Sequence, residues 1–225
     1  MSAAHIKHLQ DAASQKSKKH AGLPHQQRYI YFAHPDKDRK YVSAYSEHLL
    51  RTIAQRAHVA SLLVTSTVRD AQEQAAAMFG NLHKPMRYAA AGKAVLAVAR
   101  ADQAAGKSRA QTINDMVQKI NGVGLVHVTN HAYQAGLNTI DLSITHFGIF
   151  DDAPYAYSRV VHALIHAVNL GEVSRFGWPE AGKFGWGGGR RGNNKLFNDA
   201  GCLHVEIPQP YIGDLPATDA AMRAA

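Results

Sequence analysis

The sequence predicts an α+β fold, with helices packed on a small, mostly antiparallel sheet. Two observations carry this reading. Apolar residues at helical spacing and alanine-rich stretches fill much of the chain, and short β-branched runs stand between and after them. A length of 225 residues suits one core with a short appendage. We therefore expect a basic flexible arm over residues 1–26, a domain over 27–213 and a frayed tail over 214–225.

The arm is polar and rich in His, Lys and Gln, without periodic apolar positions to offset the entropy of ordering it. From Tyr41 the spacing Val42, Tyr45, Leu49, Ile53 predicts a helix, and Val59-Ala60-Ser61-Leu62-Leu63-Val64 predicts a buried strand, so that a helix followed by a core strand starts the domain. Asp70 with Glu73 three residues on forms a capping box ahead of Ala75-Ala76-Ala77-Met78-Phe79, which places Arg69 at a strand-to-helix junction. Two more helices follow, about Gly92 to Ala104 and Arg109 to Ile120, the second stopped by Asn121-Gly122. Leu125 to Thr129 and Thr139 to Ile144 are strand-like and bracket a loop holding His131. A helix is expected from about Pro154 to Asn169. Gly171 to Gly192 reads as a short strand plus a mobile loop, and Cys202 to Ile207 as the last strand, stopped by Pro208 and Pro210.

Composition narrows the function classes. No stretch approaches the roughly 20 apolar residues of a membrane helix, and the first two dozen residues lack the apolar region of a secretory signal. The single Cys202 excludes an internal disulfide framework and a Cys-rich zinc site, so a bound metal must be held by His and carboxylate. The formal charge of +8 favours polyanionic surroundings such as an anionic cell-wall polymer. No aromatic-rich basic stripe or zinc-finger spacing supports sequence-specific nucleic-acid binding.

Among the 14 histidines, His131 and His204 combine with Asp141 into two imidazoles and one carboxylate. That is the ligand count of a catalytic zinc that keeps a fourth position open. In an extended strand His204 and Glu206 share one face while Leu203 and Val205 face the core, and Asp141 stands among the apolar Ile140 and Leu142, where it must be paired or bound to a cation. The bland alternative is a turn-capping His131, a backbone-bonded Asp141 and a core His204. His162 and His166, four apart on one helix, form a second candidate pair, but Ala163 stands where the base of a His-Glu-x-x-His motif would be. His127 and His146 are candidate outer partners of the site or ordinary half-buried histidines. The Gly187-Gly188-Gly189 run lacks the strand and helix context of a nucleotide site.

From Thr65 to Pro208 the chain resembles the zinc peptidases of peptidoglycan, the M15 or LAS group that includes D-Ala-D-Ala carboxypeptidases and L-alanyl-D-glutamate endolysins. Thr65-Ser66-Thr67-Val68-Arg69 with Gln74 is similar to that family's Ser-Gly-Tyr-Arg segment and downstream Gln. Asn130-His131 through Asp141 resembles its Ser-x-His-x-x-Gly-x-Ala-x-Asp motif. Phe184-Gly185-Trp186-Gly187-Gly188 and His204-Val205-Glu206 resemble its Gly-Trp-Gly-Gly stretch and closing His-x-Glu strand.

The resemblance implies an LAS architecture, Zn2+ on His131, Asp141 and His204, and a substrate carboxylate or carbonyl gripped by Arg69; Gln74 either orients Arg69 or is simply solvated on its helix. A surface ion pair of Arg69 with Asp70 or Glu73 is the alternative. The interval from His131 to Asp141 is ten rather than the family's seven, and Gly201 stands where endolysins carry an acid three residues before the last His. Asp199 and Glu206 are therefore the two candidates for the catalytic base, the other acting to orient a ligand. The implied function is zinc-dependent hydrolysis of peptidoglycan stem peptides. The protein would be a phage lysin or virion-borne wall hydrolase, made in the cytoplasm and acting at the wall, with the basic arm a possible docking element. The rival is a non-catalytic phage structural or adaptor protein that kept the fold.

Overall fold

Strand β1 (Tyr29–Phe32) opens the described part of the molecule, a computed structural model that describes residues 29–83, 88–149, 155–179, 196–198 and 201–209. The basic arm, the tail, the Gly-Trp-Gly-Gly stretch, Pro154 and Asp199 lie outside the described residues. The fold is α+β. After β1 come a short turn of helix α1 (Pro35–Asp38), helix α2 (Ala44–Arg56) and strand β2 (Val59–Ser66). Helices α3 (Ala71–Gly80), α4 (Ala90–Ala104) and α5 (Arg109–Val123) follow, then β3 (Leu137–Leu142), β4 (Gly148–Ile149), α6 (Ala156–Asn169), β5 (Arg175–Trp178), β6 (Leu196–Asn198) and β7 (Leu203–Pro208).

Among the described residues, seven strands form one sheet in the order β1-β2-β3-β7-β5-β6, with β4 paired to β2. The central pairs β2/β3, β3/β7 and β5/β7 are antiparallel, and only the outer pairs β1/β2 and β5/β6 are parallel. The sheet is thus mixed but mostly antiparallel, as the patterning predicts. One face carries Leu62, Val64, Ile140, Leu142, Phe176, Trp178, Leu203, Val205 and Ile207 and packs against Leu49, Leu50 and Ile53 of α2 and Val160, Leu164 and Ala167 of α6. Complete burial of such side chains stabilises by about 1.5–3 kcal/mol each.

A second apolar cluster lies entirely between Ala75 and Ala132. It joins α3, α4 and α5 through Met78, Val95, Ala99, Ile113, Met116 and Ile120, with Leu125, Val128 and Ala132 from the following turn. Among the described helices none is long and apolar enough to cross a membrane.

Several expectations are corrected. The domain begins with a strand, because Tyr29-Ile30-Tyr31-Phe32 pairs in parallel with Ser61 to Val64. Tyr41 lies in a 3-10 turn, and α2 starts at Ala44 because the Ser43 side chain accepts from the Ser46 amide. The run Leu125 to Thr129 is not a strand but a 3-10 turn (Leu125–His127). Its physical reason is visible in its burial: Leu125 and Val128 enter the helix cluster while Val126 is 52% exposed, a spacing of three rather than two. Helix α5 runs through Asn121-Gly122 to Val123 and stops at Gly124, whose φ of 86° favours glycine. The capping box of Asp70 and Glu73 forms as expected.

Candidate metal centre

Antiparallel pairing of β3 with β7 sets Asp141 directly opposite His204 and Thr139 opposite Glu206. Because side chains alternate along a strand, this register turns Leu203 and Val205 into the core and presents His204, Glu206 and Asp141 together on the reverse face. His131 arrives from the loop that follows the helix cluster. Its backbone is tied on both sides, the amide donating to Thr129 Oγ1 (3.1 Å) and the carbonyl accepting from the Arg69 amide (2.9 Å).

The three side chains converge. His131 Nε2 stands 3.1 Å from Asp141 Oδ2, and His204 Nδ1 stands 2.9 Å from Asp141 Oδ1. The imidazoles meet edge to face, their centres 5.0 Å apart. One nitrogen or oxygen from each of the three residues lies within 4.8 Å of the others, and all three residues are buried, so the group is able to hold a metal ion.

Hydrogen counting shows why this cluster requires positive charge. His131 Nδ1 contacts the Thr67 carbonyl oxygen, which only accepts, so Nδ1 carries the hydrogen. In a neutral ring Nε2 then aims a lone pair at the Asp141 carboxylate. His204 faces carboxylates from both nitrogens, Asp141 from Nδ1 and Glu206 Oε1 (3.2 Å) from Nε2. Among the described residues, two neutral imidazoles bring two N–H hydrogens to four acceptor contacts. Balance is reached with two additional protons or with one divalent cation, and a cation among His131 Nε2, His204 Nδ1 and Asp141 leaves the hydrogens on Thr67 and Glu206. Outer acceptors of that kind are what orient metal-binding histidines.

The charges respond accordingly. Burial pushes the Asp141 carboxyl up, but contact with His131 and then His204 outweighs it and holds the group well below the ordinary carboxylate range. Glu206 follows the same pattern: burial raises it, and His204, then Arg175, bring it below its usual value. Arg175 Nη1 stands 3.3 Å from Glu206 Oε1 across β5 and β7.

Arg69 lies at the same site rather than in a surface pair with Asp70 or Glu73. Its Nη2 donates to Asp141 Oδ2 (3.1 Å), its Nε to Ser66 Oγ (3.0 Å) and its Nη1 to Gln74 Oε1 (3.4 Å). Glu73 pairs instead with Lys37 and caps α3. Gln74 is buried in the first turns of α3 and accepts from Arg69 there, so it is not simply solvated on its helix.

The other candidates fall elsewhere. His162 and His166 are exposed on the outer side of α6, since Ala163, Leu164, Ala167 and Val168 face the sheet core. His127 is exposed in the 3-10 turn, and exposed His146 bonds Ser143 and Thr145. Asp199 lies outside the described residues, while Glu206 is engaged with His204 and Arg175. Sequence reading gave no role to Arg175 or Ser66. Strand alternation places Arg175 two residues before buried Gly177, but only the β5/β7 register reveals that Arg175 meets Glu206.

Comparison of the chain with protein-family models, with curated proteins and with solved structures finds no match.

Proposed function

We propose that the protein is a zinc-dependent peptidase acting on the stem peptides of peptidoglycan, a phage lysin or virion-borne wall hydrolase with an LAS-like architecture. The observation that carries the reading is the hydrogen deficit around Asp141, relieved by one divalent cation on His131, Asp141 and His204. Zinc suits this donor set of two imidazoles and a carboxylate. One ligand atom from each of the three residues lies within 4.8 Å of the others, so His131, Asp141 and His204 would hold the ion together.

When bound, zinc supplies Lewis-acid polarisation of a carbonyl and lowers the pKa of a water molecule. The chain's own groups do the rest. Thr67 and Glu206 fix the two imidazole orientations. Of the five N–H hydrogens of Arg69, three serve Ser66, Gln74 and Asp141, and among the described residues two remain for a substrate carbonyl or carboxylate. Glu206, bonded to His204 and Arg175, acts in this reading as the orienting carboxylate, and Asp199 is the proposed proton acceptor. A positive chain is drawn to walls that carry anionic polymers.

The test is elemental analysis of the purified protein followed by incubation with peptidoglycan and identification of freed amino termini by mass spectrometry. Stoichiometric zinc and one defined new terminus are expected. Metal-free protein that leaves the wall intact would sink the proposal and favour a non-catalytic structural role.

A further inference from the structure

We propose that Asp38, which belongs to no part of the cluster itself, is a positioning residue for His131. The proposal deepens the metal-site reading and rests on it. Asp38 ends the single turn α1 and is 0% exposed, although its neighbours Pro35-Asp36-Lys37 and Arg39-Lys40 read as a solvated charge run. Its Oδ1 accepts twice from one residue, from the Thr67 amide (3.1 Å) and from Thr67 Oγ1 (2.7 Å). Thr67 is itself 0% exposed, and its carbonyl oxygen is the acceptor for His131 Nδ1.

A continuous chain of contacts therefore runs from Asp38 through Thr67 to His131 and on to Asp141. Each link constrains the next. Two bonds to one oxygen hold the peptide plane before Thr67 and its side-chain rotamer, which anchors in place the residue whose carbonyl meets His131. That carbonyl selects the Nδ1–H form of His131 and aims Nε2 at the cluster. The Arg69 amide, two residues on, holds the His131 carbonyl, so the same short segment grips the ligand residue by ring and by backbone.

The second carboxylate oxygen of Asp38, Oδ2, is buried without a hydrogen-bond partner among the described residues. Satisfying Thr67 needs only one acceptor oxygen, which a side-chain amide at this position would also supply.

The experiment uses the full chain, 15N-labelled and stripped of metal with a chelator. The ring signals of His131 are assigned by their loss in His131→Gln and recorded at mildly alkaline pH. Wild type is expected to show His131 fixed as the Nδ1–H form. Asp38→Ala should give mixed tautomers and bind zinc about 10 to 100 times more weakly, the range seen when outer partners of metal ligands are removed. Asp38→Asn retains the acceptor oxygen and should restore both signals and affinity. If Asp38→Ala lowers only the unfolding midpoint, leaving tautomer and zinc affinity as in wild type, the positioning role is overturned.

Should Asp38→Ala fail to fold, Thr67→Val removes only the hydroxyl donor, and an unchanged ring signal in that variant is equally fatal. The two readings fail separately. A wild type that binds no zinc, yet loses its His131 tautomer in Asp38→Ala, defeats the metal site and keeps the positioning role. Tight zinc with identical ring signals in both proteins does the reverse.

Discussion

In the sheet layer, Asp141 and His204 are held opposite one another by the backbone ladder of β3 and β7, over a face packed with Ile140, Leu142, Leu203 and Val205. His131 has no such ladder. It follows the helix cluster and is held by single hydrogen bonds to Thr129, Thr67 and Arg69. The difference teaches that two of the candidate ligands are positioned by register, which changes only when pairing fails, and the third by side-chain and loop contacts that respond to small shifts. The site lies at the seam of two cores, and its weaker half is the helical one.

The largest effect expected is from the ligands themselves. His204→Ala should abolish zinc binding and activity while the circular dichroism of the fold persists, because the β3/β7 ladder is a backbone structure. Zinc content equal to wild type would remove His204 from the ligand set.

Core truncations probe the comparison directly. Leu164→Ala beneath the sheet and Met116→Ala in the helix cluster both remove fully buried side chains, and each should cost about 2–5 kcal/mol in chemical denaturation. At temperatures where both variants remain folded, zinc affinity should fall in Met116→Ala and hold in Leu164→Ala. The opposite ranking would break the distinction between a register-held and a loop-held ligand.

Glu206→Gln keeps shape but weakens the acceptor for His204 Nε2, so zinc affinity measured by competition with a chelator should drop by about 10-fold or more. Unchanged affinity would mean that Glu206 does not orient the ring.

The pH response of the metal-free protein has a definite sign. The folded-state pKa of Asp141 is depressed, so its contribution to stability is complete above the ordinary carboxylate value of about 3.9 and is lost as pH falls through the lower folded value. In urea titrations, wild type should exceed Asp141→Asn near neutrality and converge with it in strong acid. A gap that widens toward acid would reverse the assignment. The smallest effect belongs to Glu172, whose pKa is lowered chiefly by its hydrogen bond to Arg56. Glu172→Gln should cost under about 1 kcal/mol, as expected for a largely solvated pair.

Local signals and long-range ones differ in how far they can be read. The Asp70–Glu73 box, the α4 and α5 helices, the β7 alternation and the trio His131, Asp141 and His204 are legible because each is a pattern within a few residues or a choice among few chemically suited side chains. Leu125 to Thr129 misleads because β-branched content resembles a strand until the helix cluster claims Leu125 and Val128. Asp38 is invisible in sequence, since nothing in a charged run distinguishes the one carboxylate that turns inward.

By itself, the chain's sequence determined the α+β class, the helix caps and the chemistry available at the site, because these follow from spacing, capping and residue type. Tertiary structure alone decided that Asp141 meets His204 in register, that Arg69 spends three donors inside the cluster and that Asp38 reaches His131 through Thr67. The contacts that bring Asp141, His204, Arg69, Asp38, Thr67 and His131 together join residues separated by 29 to 72 positions. No periodicity encodes such contacts, and only strand pairing and the folding of distant segments onto one another bring them about.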